Sequence, residues 1–227
     1  RTSCCAAPYE KREKQVNSLM IKNIIFDMGN VLLDYNPQIC LDCFLENEKD
    51  KALIMEELFR GPEWIEGDLG YLTDEERYDQ VKKRIPERLH GALKNCAIQW
   101  TMCMKPIEGA KSFCDYAKAE GYRLYVLSNA SKSFYEYFPR EFAPLSYFDG
   151  IVVSCDIHKI KPDRRIYEYL LGKYRLIPAE CFFLDDRQEN VDGAKETGMS
   201  GMVFTGDYLN VRKMFTKTAG IEREHLK

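Results

Sequence analysis

Short apolar runs alternate with longer amphipathic stretches along this chain. Residues 21–26, 123–128, 150–154, 181–184 and 201–204 are rich in Ile, Val, Leu and Phe. They show little of the strict apolar–polar alternation of a half-solvated strand. Runs of this kind fit strands buried on both faces of a parallel sheet. Helical patterns over residues 107–119, 163–174 and 191–197 separate or flank the later runs. Strands alternating with helices imply right-handed crossovers and a sheet covered on both sides. The expected fold class is therefore α/β, a three-layer Rossmann-like parallel sheet.

The interval between the first and second runs is too long for one crossover helix. About seventy residues, 36–105, read mainly as amphipathic helix, with periodic segments at 39–46, 51–59, 73–85 and 89–100. Thr73-Asp74-Glu75-Glu76 has the form of a helix start, with Thr73 as cap and Glu76 at the third helical position. The expectation is an inserted α-helical cap over residues 36–104, with a core built from 20–35 and 105–227. Residues 1–19 are polar and aperiodic and precede Met20. They are expected to be a flexible extension.

Composition narrows the function classes. The chain has 227 residues, is 45% hydrophobic and 30% charged, and carries a net charge of −3. Lys and Arg nearly balance Asp and Glu and form no dominant basic block, which argues against nucleic acid as the main partner. No stretch reaches the roughly 18–20 apolar residues needed to cross a bilayer. Nine cysteines, an odd number, lie mostly in apolar or helical surroundings. That fits a reducing cytoplasm better than a disulfide framework. Cys40 and Cys43 read as residues of a helix rather than half of a metal site. A monomer and a homodimer are both compatible with the sequence.

Ligands of open parallel sheets gather at the carboxyl ends of the strands. Four polar elements follow four of the apolar runs: Asp27, Ser128-Asn129, Lys161 with its preceding loop, and Asp185-Asp186. A carboxylate nucleophile attacking phosphorus needs a cation against charge repulsion, and donors to hold the phosphoryl oxygens. These four elements contain both.

Phe26-Asp27-Met28-Gly29-Asn30-Val31, Leu127-Ser128-Asn129-Ala130, Lys161-Pro162-Asp163 and Phe183-Leu184-Asp185-Asp186-Arg187 together resemble the four motifs of the haloacid dehalogenase-like hydrolase superfamily. The resemblance covers residues 21 to about 204. It is nearest to the helical-cap branch with an Asp-x-Gly-Asn-Val first motif, which includes a bacterial alpha-glucose-1-phosphate phosphatase. It implies a phosphatase acting on a small phosphorylated metabolite, with a sugar phosphate among the candidates, through an aspartyl-phosphate intermediate. Asp27 would be nucleophile and metal ligand, with the Gly29 carbonyl and Asp186 as further ligands of Mg2+. Ser128, the Asn129 backbone amide and Lys161 would hold the phosphoryl group. Asp185 and Asn190 would orient the acidic loop, and Asp34 would support the first loop or approach the site.

Gly29 departs from the commoner superfamily pattern, in which an aspartate stands at this position and transfers protons. Gly29 itself is expected to allow a tight turn beside Asp27. Haloacid dehalogenation at carbon, a catalytically weak phosphate-binding or regulatory protein, and phosphoryl transfer to a sugar hydroxyl are the other outcomes weighed. The Asp185-Asp186 pair favours magnesium-dependent phosphoryl transfer. Trp64, Glu66, Asp68 and Tyr71 are read equally as pocket-lining and as helix-joining residues. Tyr35, just after the first motif, is by position alone a candidate for substrate contact on cap closure, and the family mechanism does not call for His158.

Overall fold

The computed structural model describes residues 21–215, so the expectation for residues 1–19 lies outside the described residues. In chain order the strands are β1 (Asn23–Phe26), β2 (Leu33–Tyr35), β3 (Met104–Pro106), β4 (Arg123–Ser128), β5 (Gly150–Val153), β6 (Cys181–Asp185) and β7 (Ser200–Val203). The helices are α1 (Pro37–Phe44), α2 (Glu48–Ile54), α3 (Pro62–Asp68), α4 (Asp74–Val81), α5 (His90–Gln99), α6 (Ala110–Ala119), α7 (Phe134–Glu141), α8 (Ser154–Ile157), α9 (Arg164–Tyr174) and α10 (Gln188–Glu196).

β1 lies in the middle of a five-stranded parallel sheet of order β5-β4-β1-β6-β7. All four β1 residues are buried, as a strand flanked on both sides and covered on both faces requires. Its side chains divide between two apolar clusters by the period of two. Ile24 and Phe26 join Leu124, Val126, Phe113 and Leu184 on one face. Ile25 joins Tyr125, Leu127, Phe183 and residues of α9 on the other. The chain runs outward from β1 through β4 to β5, then returns to β6 on the opposite side of β1. Strand order therefore reverses beside β1, where the carboxyl ends leave a crevice.

Helices α1 to α5 occupy the long interval between β2 and β3, as the periodicity indicated. The Thr73 capping box forms: Glu76 N–H donates to Thr73 Oγ1 at 3.2 Å, and Thr73 N–H donates to Glu76 Oε2 at 2.8 Å. Buried residues of this interval, such as Leu41, Ile54, Leu58 and Leu93, belong to the same apolar cluster as Phe26 and Val126. Two features of this region were not expected. β2 and β3 pair antiparallel, Leu33 opposite Pro106 and Tyr35 opposite Met104, and so tie together both ends of the helical interval. Helix α3 also lies outside the four periodic segments expected to be helical. Three-residue strands are too short to show a period, and Gly61-Pro62 at the start of α3 resembles a loop signal while supplying a proline at the first turn.

Cys40 is buried and Cys43 exposed on α1, so the two do not converge. Among the described residues no helix is long and apolar enough to cross a membrane.

Candidate active site

The end of β1 places Asp27 directly between β4 and β6. Its N–H donates to the Leu184 carbonyl at 2.8 Å, continuing the ladder one residue past the strand. Its Oδ1 accepts from Met28 N–H at 2.7 Å and pairs with Lys161 Nζ at 2.7 Å. The same ammonium reaches Asp185 Oδ2 at 2.7 Å. Lys161 arrives from the loop after β5 and α8 and is only 3% exposed. Burial works against its charge, but Asp27 and Asp185 outweigh that and hold its pKa above the ordinary lysine value. Burial also dominates at Asp27 and, with the repulsion of Asp185 and Asp186, pushes its carboxyl up to about 7 against the pull of Lys161.

Asp185 is fully buried and saturated with donors. Besides Lys161, its Oδ1 accepts from Arg187 N–H and Asn190 Nδ2, both at 2.9 Å. Asn190 is in turn fixed through its carbonyl, which accepts from Tyr167 Oη at 2.8 Å. Asp186, half-buried, accepts from Asn30 Nδ2 at 2.9 Å. Asp27, Asp185 and Asp186 each offer an oxygen, and these atoms lie within 4.8 Å of one another. Three carboxylates against one ammonium leave a formal charge of −2. Hard oxygen donors with that residual charge suit a divalent cation such as Mg2+.

The remaining predicted residues fall into place unevenly. Ser128 ends β4, fully buried, and its Oγ has no hydrogen-bond partner among the described residues. Such an orphaned donor fits a ligand oxygen. The Asn129 side chain brackets the backbone of Lys161, accepting its N–H at 2.8 Å and donating to its carbonyl at 3.0 Å. Asp34 stands exposed on β2 opposite Lys105, outside the carboxylate cluster.

Gly29 requires a correction. The left-handed residue of the turn is Asn30, at φ 54°, and not Gly29. A Cβ built on Gly29 meets nothing within 4 Å, so neither backbone conformation nor packing calls for glycine there. Asn30 tolerates the left-handed region because its short side chain can bond locally. Here Oδ1 accepts from Tyr35 N–H at 3.0 Å while Nδ2 holds Asp186. Asn30 stands within the first motif, and the resemblance assigns it no role. Its signal was an asparagine at a loop position that demands an unusual φ.

Ser154, which no motif marks, joins the helical interval to this site. Its Oγ accepts from Ala130 N–H at 3.0 Å and donates to the Asp68 carbonyl at 2.5 Å. His158 serves the same junction: its Nδ1 bonds to the Leu69 carbonyl at 2.7 Å, and its ring stacks on Tyr71 at 5.0 Å. Trp64 and Tyr35 pack with Trp100 in an aromatic cluster, and Glu66 is exposed.

A crevice at the reversal of strand order, holding an Asp–Lys–Asp chain beside an unpaired buried hydroxyl, defines a hydrolase-type phosphate or carboxylate chemistry rather than a dinucleotide site. The chain belongs to the haloacid dehalogenase-like hydrolases, whose family profile matches residues 21–198. It is 29% identical over 185 residues to a sesquiterpene phosphatase of Aspergillus oryzae, spanning 81% of this chain and 90% of that relative. It is 24% identical over 186 residues to D-ribitol-5-phosphate phosphatase of Bacteroides thetaiotaomicron, spanning 79% and 89% of the two chains. The fold is shared with a HAD-family enzyme of Bacteroides thetaiotaomicron solved as an aspartate-to-alanine variant with magnesium and inorganic phosphate. That match has a TM-score of 0.65 at 20% identity and covers 84% of this chain and 98% of the other.

Proposed function

We propose that this protein hydrolyses a small phosphomonoester in two phosphoryl transfers, with Asp27 as the nucleophile. The observation that carries the reading is the Lys161 ammonium held at 2.7 Å from both Asp27 and Asp185. It fixes a positive charge where a phosphoryl group would meet the nucleophile, and it aims one Asp27 oxygen. In the first transfer Asp27 attacks phosphorus, the bond to the organic oxygen breaks, and an aspartyl phosphate forms. In the second, water attacks that phosphorus and the bond to Asp27 breaks, releasing phosphate. Ser128 Oγ and the Asn129 N–H are the donors we assign to the phosphoryl oxygens, with Lys161 as the fixed charge.

Asp27, the Gly29 carbonyl and Asp186 are the ligands we assign to Mg2+, which would supply charge neutralisation for the phosphate. Asp185 and Asn190 orient the loop that carries Asp186. Asp34 has no part.

Residues 36–104 act in this reading as a cap over a core of 20–35 and 105–227. The organic part of the substrate is assigned to a cleft of about 430 Å³ between the two, lined by Tyr71, Glu75, Lys132, Glu136, Tyr137 and Arg140 among others. Ser131, also on its wall, follows the phosphate loop by two residues. A lining so rich in charge and hydroxyls suits a polyhydroxy alcohol such as a sugar or sugar alcohol. The free, mostly buried thiols suit a reducing compartment such as the cytoplasm.

The test is phosphate release from a panel of sugar and sugar-alcohol phosphates, with Mg2+ or with chelator. Release that requires Mg2+ and disappears in Asp27→Asn is expected. Halide release from a 2-haloacid without added metal, or a folded protein inert on both classes, would overturn the reading.

A further inference from the structure

A leaving alkoxide or phenoxide needs a proton, and the water of the second transfer must lose one. Among the described residues, the groups beside Asp27 are already committed. Asp186 accepts from Asn30 Nδ2 and is assigned to Mg2+. Asp185 accepts from three donors. Lys161 is locked between two carboxylates. Tyr137 Oη points to Met28 Sδ at 3.9 Å, His158 Nδ1 is engaged with Leu69, and Gly29 has no side chain.

Asp68 is different. It ends α3, and Ser154 Oγ ties its carbonyl to the phosphate loop, at Ala130 N–H next to Asn129. The chain just beyond comes so close to the core that a Cβ on Gly70 would lie 2.4 Å from the Cys155 carbonyl oxygen. The Asp68 carboxyl takes no hydrogen bond and no ion pair among the described residues. Its field reaches Tyr35 and Tyr137, and Tyr137 also feels Asp27. An unengaged carboxyl thus sits on the residue that Ser154 ties to Ala130, close enough to Tyr35, Tyr137 and Lys161 to share its field with them.

We infer that Asp68 is the general acid and base of the reaction, delivering a proton to the leaving oxygen and then taking one from the attacking water. The assignment rests on the phosphomonoester reading above. In the first transfer the Asp68 O–H proton passes to the oxygen whose bond to phosphorus breaks, leaving Asp68 ionised. In the second, the proton of the attacking water passes to the Asp68 carboxylate as the bond from phosphorus to Asp27 breaks, restoring both groups. The surroundings suit this cycle. Burial, with a smaller push from Asp74, raises the Asp68 pKa to about 7 against the pull of Arg77 and Lys161. Tyr35 from β2 and Tyr137 from α7 face it as neutral phenols, both held well above their ordinary pKa chiefly by burial. An acid near neutrality is the efficient choice for both directions of transfer.

The test compares two aryl phosphates of similar size. The phenolate of p-nitrophenyl phosphate leaves without a proton, whereas that of phenyl phosphate gains from one. The specificity constant kcat/KM isolates the first transfer. In Asp68→Asn it should fall by about 10²-fold or more on phenyl phosphate and less than tenfold on p-nitrophenyl phosphate. The wild-type decline on phenyl phosphate above pH 7 should vanish in that variant. Adding Gly29→Asp should recover phenyl phosphate turnover, because a side chain at position 29 enters open space beside Asp27. Asp68→Ala carries the same comparison should the asparagine variant melt below assay temperature. Equal losses on both substrates, or no loss, would overturn the role of Asp68 while leaving the phosphatase reading intact. A folded wild type that releases no phosphate from either substrate with Mg2+ would overturn both.

Discussion

The side-chain amide of Asn129 grips the backbone of Lys161 at both of its polar groups, N–H and carbonyl. The lysine that balances Asp27 and Asp185 is therefore positioned by a residue from a different strand end. Asn129→Ala would leave two buried backbone groups without partners, at about 1–3 kcal/mol each. It should lower the melting temperature. It should also cut magnesium-dependent phosphate release by about 10–100-fold, the usual effect of removing a group that orients a site. Urea denaturation and initial-rate assays measure the two effects separately.

Two glycines should respond oppositely to alanine. At Gly29 the backbone is not left-handed and the added methyl meets nothing within 4 Å. Gly29→Ala should fold at least as stably as wild type, gaining about 0.4–1 kcal/mol from the less flexible unfolded chain. Gly70 has φ +78° and its Cβ would lie 2.4 Å from the Cys155 carbonyl oxygen. Gly70→Ala should lose more than about 1 kcal/mol, read from the denaturant midpoint.

Mg2+ should stabilise the folded chain through Asp27 and Asp186. At a hundredfold excess over its dissociation constant, a ligand bound only by the native state adds about 2.7 kcal/mol. Differential scanning fluorimetry should show the melting temperature rising with Mg2+ in wild type. The rise should be lost in Asp186→Asn, which removes a ligand while leaving Lys161 its two partners. An unchanged rise in that variant would remove Asp186 from the metal site.

Asp68 should make stability depend on pH with a definite sign. Its folded pKa of about 7 stands above the ordinary 3.8, so the native state holds this proton more tightly than the unfolded chain. Its contribution is constant below about pH 4 and turns unfavourable as pH rises from there to 7. Asp68→Asn does not titrate at this position. Its melting temperature relative to wild type should therefore climb between pH 4 and 7 and level off above. A flat difference would mean that the carboxyl ionises normally.

The chain by itself determined the sheet and the positions of the polar residues at its strand ends. Burial on both faces leaves a plain mark, an unbroken apolar run, and 123–128 was legible to the residue because Arg123 and Ser128 bound it. The helical interval was legible for the same reason, since a 3.6-residue period persists over many turns. What the sequence could not carry were relations set by contact between distant segments. β2 and β3 pair across about seventy intervening residues, Leu33 opposite Pro106. Asn30 acquires its purpose from Asp186, 156 positions away, and Asn129 from Lys161. Gly29 looked like a turn residue, but its φ and its empty surroundings are properties of the folded loop. Asp68 is one of four residues that the sequence leaves open between pocket and helix junction, and only the docking of α3 through Ser154 ties it to Ala130, next to Asn129. Local periodicity is written in neighbouring residues, whereas the ionisation and the hydrogen-bond partners of a buried group depend on what the fold packs around it.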